Sequence, residues 1–382
     1  MTIKQYIKEE LPKKAFSVKQ IIKENWDRFI GIHKTREIEQ EEVEKMLSCK
    51  EESRGCFACY CKQCDKIVIF PLGCNSRLCS SCGKRYTDNW AKRLVKRLFP
   101  GKIHRHLVFG MPDMLWSFIK ENRKLQKIVM DTANQTIQQL FQTITKKKIK
   151  VGVIAVLHSF GRDLGYKPHV HTIITEGGFL MDGTFVPIGF YINYDALHRK
   201  WQYDLLNALR SHLHKSVIDL AFRKYPQGFC AYVKPERISS SKRLIQYIGR
   251  YVRHPAIANS RIDYYDGQRV GFFWRDKDNN RLKKVMFVDD FIGSIIQHVP
   301  NKYEKLVRYY GAYARLKRRR LFKQLTITYE IWSSKLKSRK IPCPKCKSEM
   351  QVLAYMSKPP PRDTGDIRNW VSSLVGAMPE GH

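Results

Sequence analysis

The sequence contains no run of about 18 uninterrupted apolar residues, the length a bilayer-spanning helix needs, so a transmembrane helix is not expected. Its start, Met1-Thr2-Ile3-Lys4-Gln5, leads into no apolar signal core, and the expectation is an intracellular, cytoplasmic protein with no membrane partner. It has no internal repeat, which argues against a solenoid or propeller. Acidic residues are scarce. Asp and Glu number 35 against 70 Lys and Arg, a formal net charge of +35, far beyond what solubility asks of a domain.

Such an excess points to a polyanionic partner. Nucleic acid fits best, because basic side chains displace condensed counterions from phosphates and the aromatics (Phe 19, Tyr 19, Trp 7) can stack on exposed bases. On charge alone a ribosome-associated or generally basic protein fits as well. With 382 residues, 43% of them hydrophobic, the chain can fill at least one sizeable core and divide into two or three domains.

Eight of the eleven cysteines lie between Cys49 and Cys82. In a chain without a secretion signal, that clustering argues for metal rather than disulfides. Cys61-x2-Cys64 and Cys79-x2-Cys82, fourteen residues apart, are expected to converge on one structural Zn²⁺, since four thiolates leave no open coordination position. Cys49, Cys74 and the pair Cys56 and Cys59 could supply a second site or serve as small buried apolar residues. Cys343-x2-Cys346 has no partner pair unless the tail folds back.

The hydrophobic pattern divides the chain into a helical region over 1–48, a zinc module with a basic helix over 49–99, a mixed helix and strand region over 100–316, and a basic tail over 317–382. The basic helix places Arg85, Arg93 and Arg97 as candidate DNA contacts beside Trp90 and Leu94. The order of strands and helices after residue 100 implies an α+β fold with an antiparallel or mixed sheet.

Two motifs in that region carry chemistry. His169-Val-His171 lies on an expected strand, where residues two apart share a face, so both imidazoles can reach one divalent ion. The preceding strand ends at His158, which a hairpin would bring alongside as a third ligand, with Asp163 a weaker candidate. Histidines on a sheet surface can also do no more than hydrogen-bond.

Tyr247 and Tyr251 stand four apart on an expected helix and share one face, with Lys242, Arg243, Arg250 and Arg253 crowding the same segment. An aromatic pair packed on a core would look the same, but these charges suit a phosphate path. A phenol that titrates near pH 10 attacks phosphorus slowly unless a metal polarises the phosphate.

The ordered set Cys61-Lys-Gln-Cys64, Ser76-Arg-Leu-Cys79, His106-Leu-Val-Phe, His158-Ser-Phe-Gly, Pro168-His-Val-His171, Glu176-Gly-Gly178, Tyr247-Ile-Gly-Arg-Tyr251, Gln297-His-Val-Pro and Arg308-Tyr-Tyr-Gly311 resembles the two-tyrosine HUH transposases of rolling-circle insertion sequences that carry an N-terminal zinc-binding domain. The resemblance covers roughly residues 49 to 315. It implies a palm-like antiparallel sheet flanked by helices, with the histidine pair on a central strand and the tyrosines on a neighbouring helix. It further implies catalytic Mg²⁺ or Mn²⁺, nucleophiles at Tyr247 and Tyr251 that form a 5′-phosphotyrosine intermediate, single-stranded DNA at element ends and target as substrate, and a nucleoid location in a prokaryote. Where many relatives have Gln, this chain has Arg162, which cannot ligate a cation, so His158 moves forward as third ligand. A replication initiator or relaxase of the same fold, a water-using nuclease, and a non-catalytic zinc-ribbon binder are the alternatives.

Overall fold

A computed structural model of the chain describes residues 16–51, 54–95, 97–188, 193–233, 255–276, 278–314 and 341–356. Tyr247, Tyr251, Lys242, Arg243, Arg250 and Arg253 lie outside the described residues. Two helices come first, α1 (Val18–Ile32) and α2 (Glu37–Leu47). Ser17 caps α1 by accepting the Gln20 backbone N–H at 3.1 Å, and Val18, Ile21, Ile22, Trp26 and Phe29, spaced three or four apart, are buried on one face. A hairpin of β1 (Cys56–Cys61) and β2 (Lys66–Pro71) follows, then the basic helix α3 (Ser80–Val95).

The chain continues through β3 (His104–Gly110), α4 (Trp116–Glu121), α5 (Leu125–Thr145), β4 (Lys150–Phe160), β5 (Tyr166–Phe179), β6 (Phe185–Pro187), α6 (Tyr194–Leu209), α7 (Lys215–Lys224) and β7 (Ala231–Val233). From residue 255 onward the described elements are β8 (Ile262–Tyr265), β9 (Arg269–Arg275), β10 (Arg281–Phe287), α8 (Val288–Ile296), β11 (Val307–Gly311), β12 (Ile341–Pro342) and β13 (Glu349–Met356). Helix α6 ends at Leu209, and His214 caps α7 by accepting the Ser216 N–H at 3.3 Å.

Every strand pair among the described residues is antiparallel, in keeping with an α+β fold. The main sheet runs β11-β4-β5-β3-β7, with β6 pairing β5, so β5 is central. Strand β4 reads as a nearly continuous apolar run from Val151 to Leu157 because both faces are covered. On one face Leu107, Phe109, Val153, Ala155, Val170 and Ile174 pack against Val129, Ala133, Ile137, Phe141, Trp201 and Leu205 of α5 and α6. On the other, Ile154, Val156 and Ile173 lie under Trp90, Ala91 and Leu94 of α3, with Phe99 and Tyr313. The basic helix is thereby pinned to the face that carries the histidines.

The remaining strands form a three-stranded sheet, β10-β9-β8, and a four-stranded sheet, β12-β13-β1-β2. The first shares a core with α1, α2 and α8 through Ile21, Phe29, Val270, Phe272, Phe291 and Ile295. In the second, the tail does fold back. β13 pairs with β1 across nearly three hundred residues of sequence, with Tyr60 opposite Gln351 and Cys56 opposite Met356. Among the described residues no helix is long and apolar enough to cross a membrane.

Candidate functional site

Register decides the histidine cluster. In the β4–β5 hairpin His158 stands opposite His169 and Val156 opposite His171, so the three imidazoles share one face at the end of the sheet. One ring nitrogen from each of His158, His169 and His171 falls within 4.8 Å of the others. Asp163 does not join them: its carboxylate pairs with Lys167 Nζ at 2.8 Å, which holds its pKa down against the opposing effect of burial. Arg162 is turned away, with its guanidinium on the backbone carbonyls of Arg275 and Asp276.

The surroundings prepare these imidazoles as ligands. His169 donates Nδ1–H to the Lys167 carbonyl at 2.6 Å, which leaves its Nε2 lone pair toward the cluster, and burial holds its pKa low. His171 Nδ1 lies 2.9 Å from His106 Nε2. With the shared hydrogen on His171 Nδ1, the outer nitrogen of that ring stays a donor to metal. His106 is a site residue that sequence reasoning did not assign. The signal was present, since His104-Arg-His106 repeats the i, i+2 pattern of His169 and His171 on the strand next door.

Two other motifs brace this end of the sheet. His298 donates Nε2–H to the Leu164 carbonyl at 3.1 Å and accepts from the Ser159 hydroxyl at 3.2 Å, clamping the turn that follows His158. Burial pushes the pKa of His298 down to about 4, so the ring is neutral and can accept. In the Arg308-Tyr-Tyr-Gly motif, Gly311 has φ +55 and a Cβ there would stand 1.8 Å from the Val151 carbonyl oxygen, so only glycine lets β11 lie this close to β4. Tyr309 then faces α3, with Arg97 5.6 Å from its ring centre.

Between α3 and the sheet lies a cavity of about 380 Å³, lined by Arg77, Tyr86, Trp90, Arg93, Arg97 and Tyr309 among others. Arg77, Leu157 and Leu306 also line a smaller cavity beside it, which reaches His158, Ser159, His298 and Ala256. Cations, aromatic side chains and His158 therefore line two adjoining cavities on this face of the sheet. Arg93 and Arg97 line the larger one. Arg85 does not: its guanidinium lies 4.0 Å from Cys82 Sγ.

The cysteines depart from expectation. Cys61 and Cys64 do not meet Cys79 and Cys82 on one ion. The structure holds two quartets, Cys49, Cys74, Cys79 and Cys82, and Cys61, Cys64, Cys343 and Cys346. The reason is directional: β1 carries Cys61 and Cys64 to one end of the four-stranded sheet, whereas Cys79 and Cys82 open α3 and turn toward α1 and α2. In the first quartet Cys49 Sγ lies 3.6 Å from both Cys79 and Cys82. The two hydrogen-bonded thiols shift in opposite directions, Cys79 down through the bond with Cys74 and Cys74 up through the same bond.

Fold and site together define a sheet-based protein with a three-imidazole centre, a basic aromatic groove and a cysteine-rich module. Residues 152–320 match the family model described as "Putative transposase", and residues 21–111 match that of a transposase zinc-binding domain. The chain is 27% identical over 305 residues to the transposase for insertion sequence element IS801 of Pseudomonas savastanoi pv. phaseolicola, spanning 75% of this chain and 73% of that protein. It is 26% identical over 286 residues to "Putative transposase y4qJ" of Sinorhizobium fredii (strain NBRC 101917 / NGR234), spanning 69% and 71%. No solved structure matches it. Over residues 152–320 the chain is thus similar to this transposase family, and over residues 21–111 to the transposase zinc-binding domain.

Proposed function

We propose that the chain nicks and rejoins single-stranded DNA at the ends of its element, in rolling-circle transposition, through a 5′-phosphotyrosine intermediate on Tyr247 and Tyr251. The observation that carries this reading is the convergence of His158, His169 and His171 at the end of the central hairpin. The donor set fits a divalent ion: three imidazoles, one with its tautomer set by a carbonyl and one backed by a second histidine. An all-nitrogen set suits Mn²⁺ better than Mg²⁺, which favours oxygen ligands. When bound, the ion would polarise the scissile phosphate.

The chain's own residues do the rest. Phosphates of the incoming strand pair with Arg93 and Arg97 while bases stack on the aromatic rings of the same groove. Ala256 lines the cavity with His158 and comes five positions after Tyr251, which allows at most roughly 18 Å of extended chain between them. That tether supports the tyrosines' assignment to this site. A phenolic oxygen attacks phosphorus, the new O–P bond replaces the bond to the 3′ oxygen, and that oxygen leaves with the proton as a free 3′-hydroxyl. Attack by a 3′-hydroxyl on the phosphotyrosine reverses the exchange and joins the strand without an external energy source.

The test is incubation of the full chain with a labelled single-stranded oligonucleotide carrying the element end, plus Mn²⁺ or Mg²⁺. A labelled band that stays with the protein through denaturation is expected. Nicking with no such band would show a water-using nuclease, and binding with neither would show a non-catalytic binder.

A further inference from the structure

Cys343 and Cys346 are assigned no role by the family's zinc-binding domain, which matches residues 21–111. They nevertheless sit on Cys61 and Cys64. Cys61 Sγ lies 3.5 Å from Cys346 Sγ, and Cys64 Sγ lies 3.9 Å from Cys343 Sγ. A tetrahedral zinc with Zn–S bonds of about 2.3 Å requires sulfurs about 3.8 Å apart. A disulfide requires about 2 Å.

The two cysteine pairs also arrive on matching backbone. Each sits in a tight turn joining two antiparallel strands, and the residue after the second cysteine is left-handed in both: Asp65 at φ 47 and Lys347 at φ 64. Neither is glycine, so each turn carries a conformational cost that something must offset. Lys347 donates its N–H to the Cys343 carbonyl at 3.0 Å and Cys343 donates to the Ser348 carbonyl at 2.8 Å, closing the second turn as Cys61 opposite Lys66 closes the first.

The four-stranded sheet has little else to hold it. Among the described residues its buried apolar side chains are few and small: Cys59, Cys61, Cys343 and Met350 cluster with half-buried Phe57, Val68, Phe70 and Ile341 around them, and Cys56 and Ala58 of β1 are buried beside that cluster. So small a core does not support a separate sheet without a metal or disulfides.

We infer that Cys61, Cys64, Cys343 and Cys346 bind a second structural Zn²⁺, which makes a composite zinc ribbon from residues 56–71 and 341–356 and locks the C-terminal segment onto the N-terminal module. The chain then holds two tetrathiolate zinc ions, of which the ribbon's is bound half by each end of the sequence.

Cobalt substitution of the full-length chain tests this, because thiolate-to-cobalt charge-transfer absorption counts thiolate-bound metal and an imidazole centre adds nothing to it. Two tetrathiolate equivalents are expected for the wild type and one for Cys343→Ser/Cys346→Ser. The conservative Cys346→His should keep two metals while shifting the band of one, which separates ligation from folding if the serine variant is unstable. A wild type that takes up one tetrathiolate cobalt, or a Cys343→Ser/Cys346→Ser variant that still takes up two, overturns the site.

Discussion

The histidine centre and the cysteine ribbon are both candidate metal sites, built in opposite ways. The histidines come from adjacent strands of one hairpin, His158 to His171, and strand register alone brings them together. The ribbon draws its ligands from the two ends of the chain, Cys61 and Cys346 lying 285 residues apart. The first is a local arrangement resting on a rigid, doubly covered sheet. The second exists only once the whole chain has folded and its tail has returned, and its metal supplies what its small core lacks. Loss of a ligand should therefore silence chemistry at the one and loosen architecture at the other.

The sharpest way to break that contrast is His171→Ala. Removing one of three imidazoles from a sheet that does not depend on them should lower the nicking rate about a thousandfold, equivalent to several kcal/mol of lost phosphate polarisation, with the melting temperature little changed. Single-turnover cleavage and calorimetry on one preparation measure both. A variant that unfolds would make the histidines structural.

A smaller effect is expected one step outward. His106 backs His171 from 2.9 Å, so His106→Gln should weaken Mn²⁺ binding by roughly 10- to 100-fold and be rescued by excess metal. An unchanged metal affinity would show that His106 only fills the core. Smallest is the effect of the groove arginines: Arg93→Gln and Arg97→Gln should each cut the slope of log affinity against log salt by about 0.7 for single-stranded DNA, whatever its sequence. A slope that does not move would take the DNA path away from α3.

What the sequence made legible follows the same division. Period-two spacing placed His169 and His171 on one face, and the glycines at 161 and 165 signalled the hairpin that adds His158. The antiparallel α+β character was readable from the order of elements, and β5 is central as the family resemblance implied. The cysteines misled because Cys-x2-Cys spacing specifies a ligand pair but not which pair it meets. Nearness along the chain suggested Cys61 and Cys64 with Cys79 and Cys82, whereas the pairing of β1 with β13 overrode it. Cys49 and Cys74 carried no Cys-x2-Cys signal at all, although each is followed by a left-handed residue, Lys50 at φ 62 and Asn75 at φ 53, as Cys64 and Cys346 are. Helix α8 went unassigned although Val288, Phe291, Ile292, Ile295 and Ile296 recur at helical spacing on one buried face, with Asp289, Asp290 and Ser294 on the other.

The most direct test of the proposed chemistry is to digest the covalent product of the chain and its element-end oligonucleotide and locate the attached nucleotide by peptide mass spectrometry. The nucleotide should sit on Tyr247 or Tyr251, and the adduct should vanish in Tyr247→Phe/Tyr251→Phe. An adduct that survives that double substitution, or that maps to any other residue, would contradict the account.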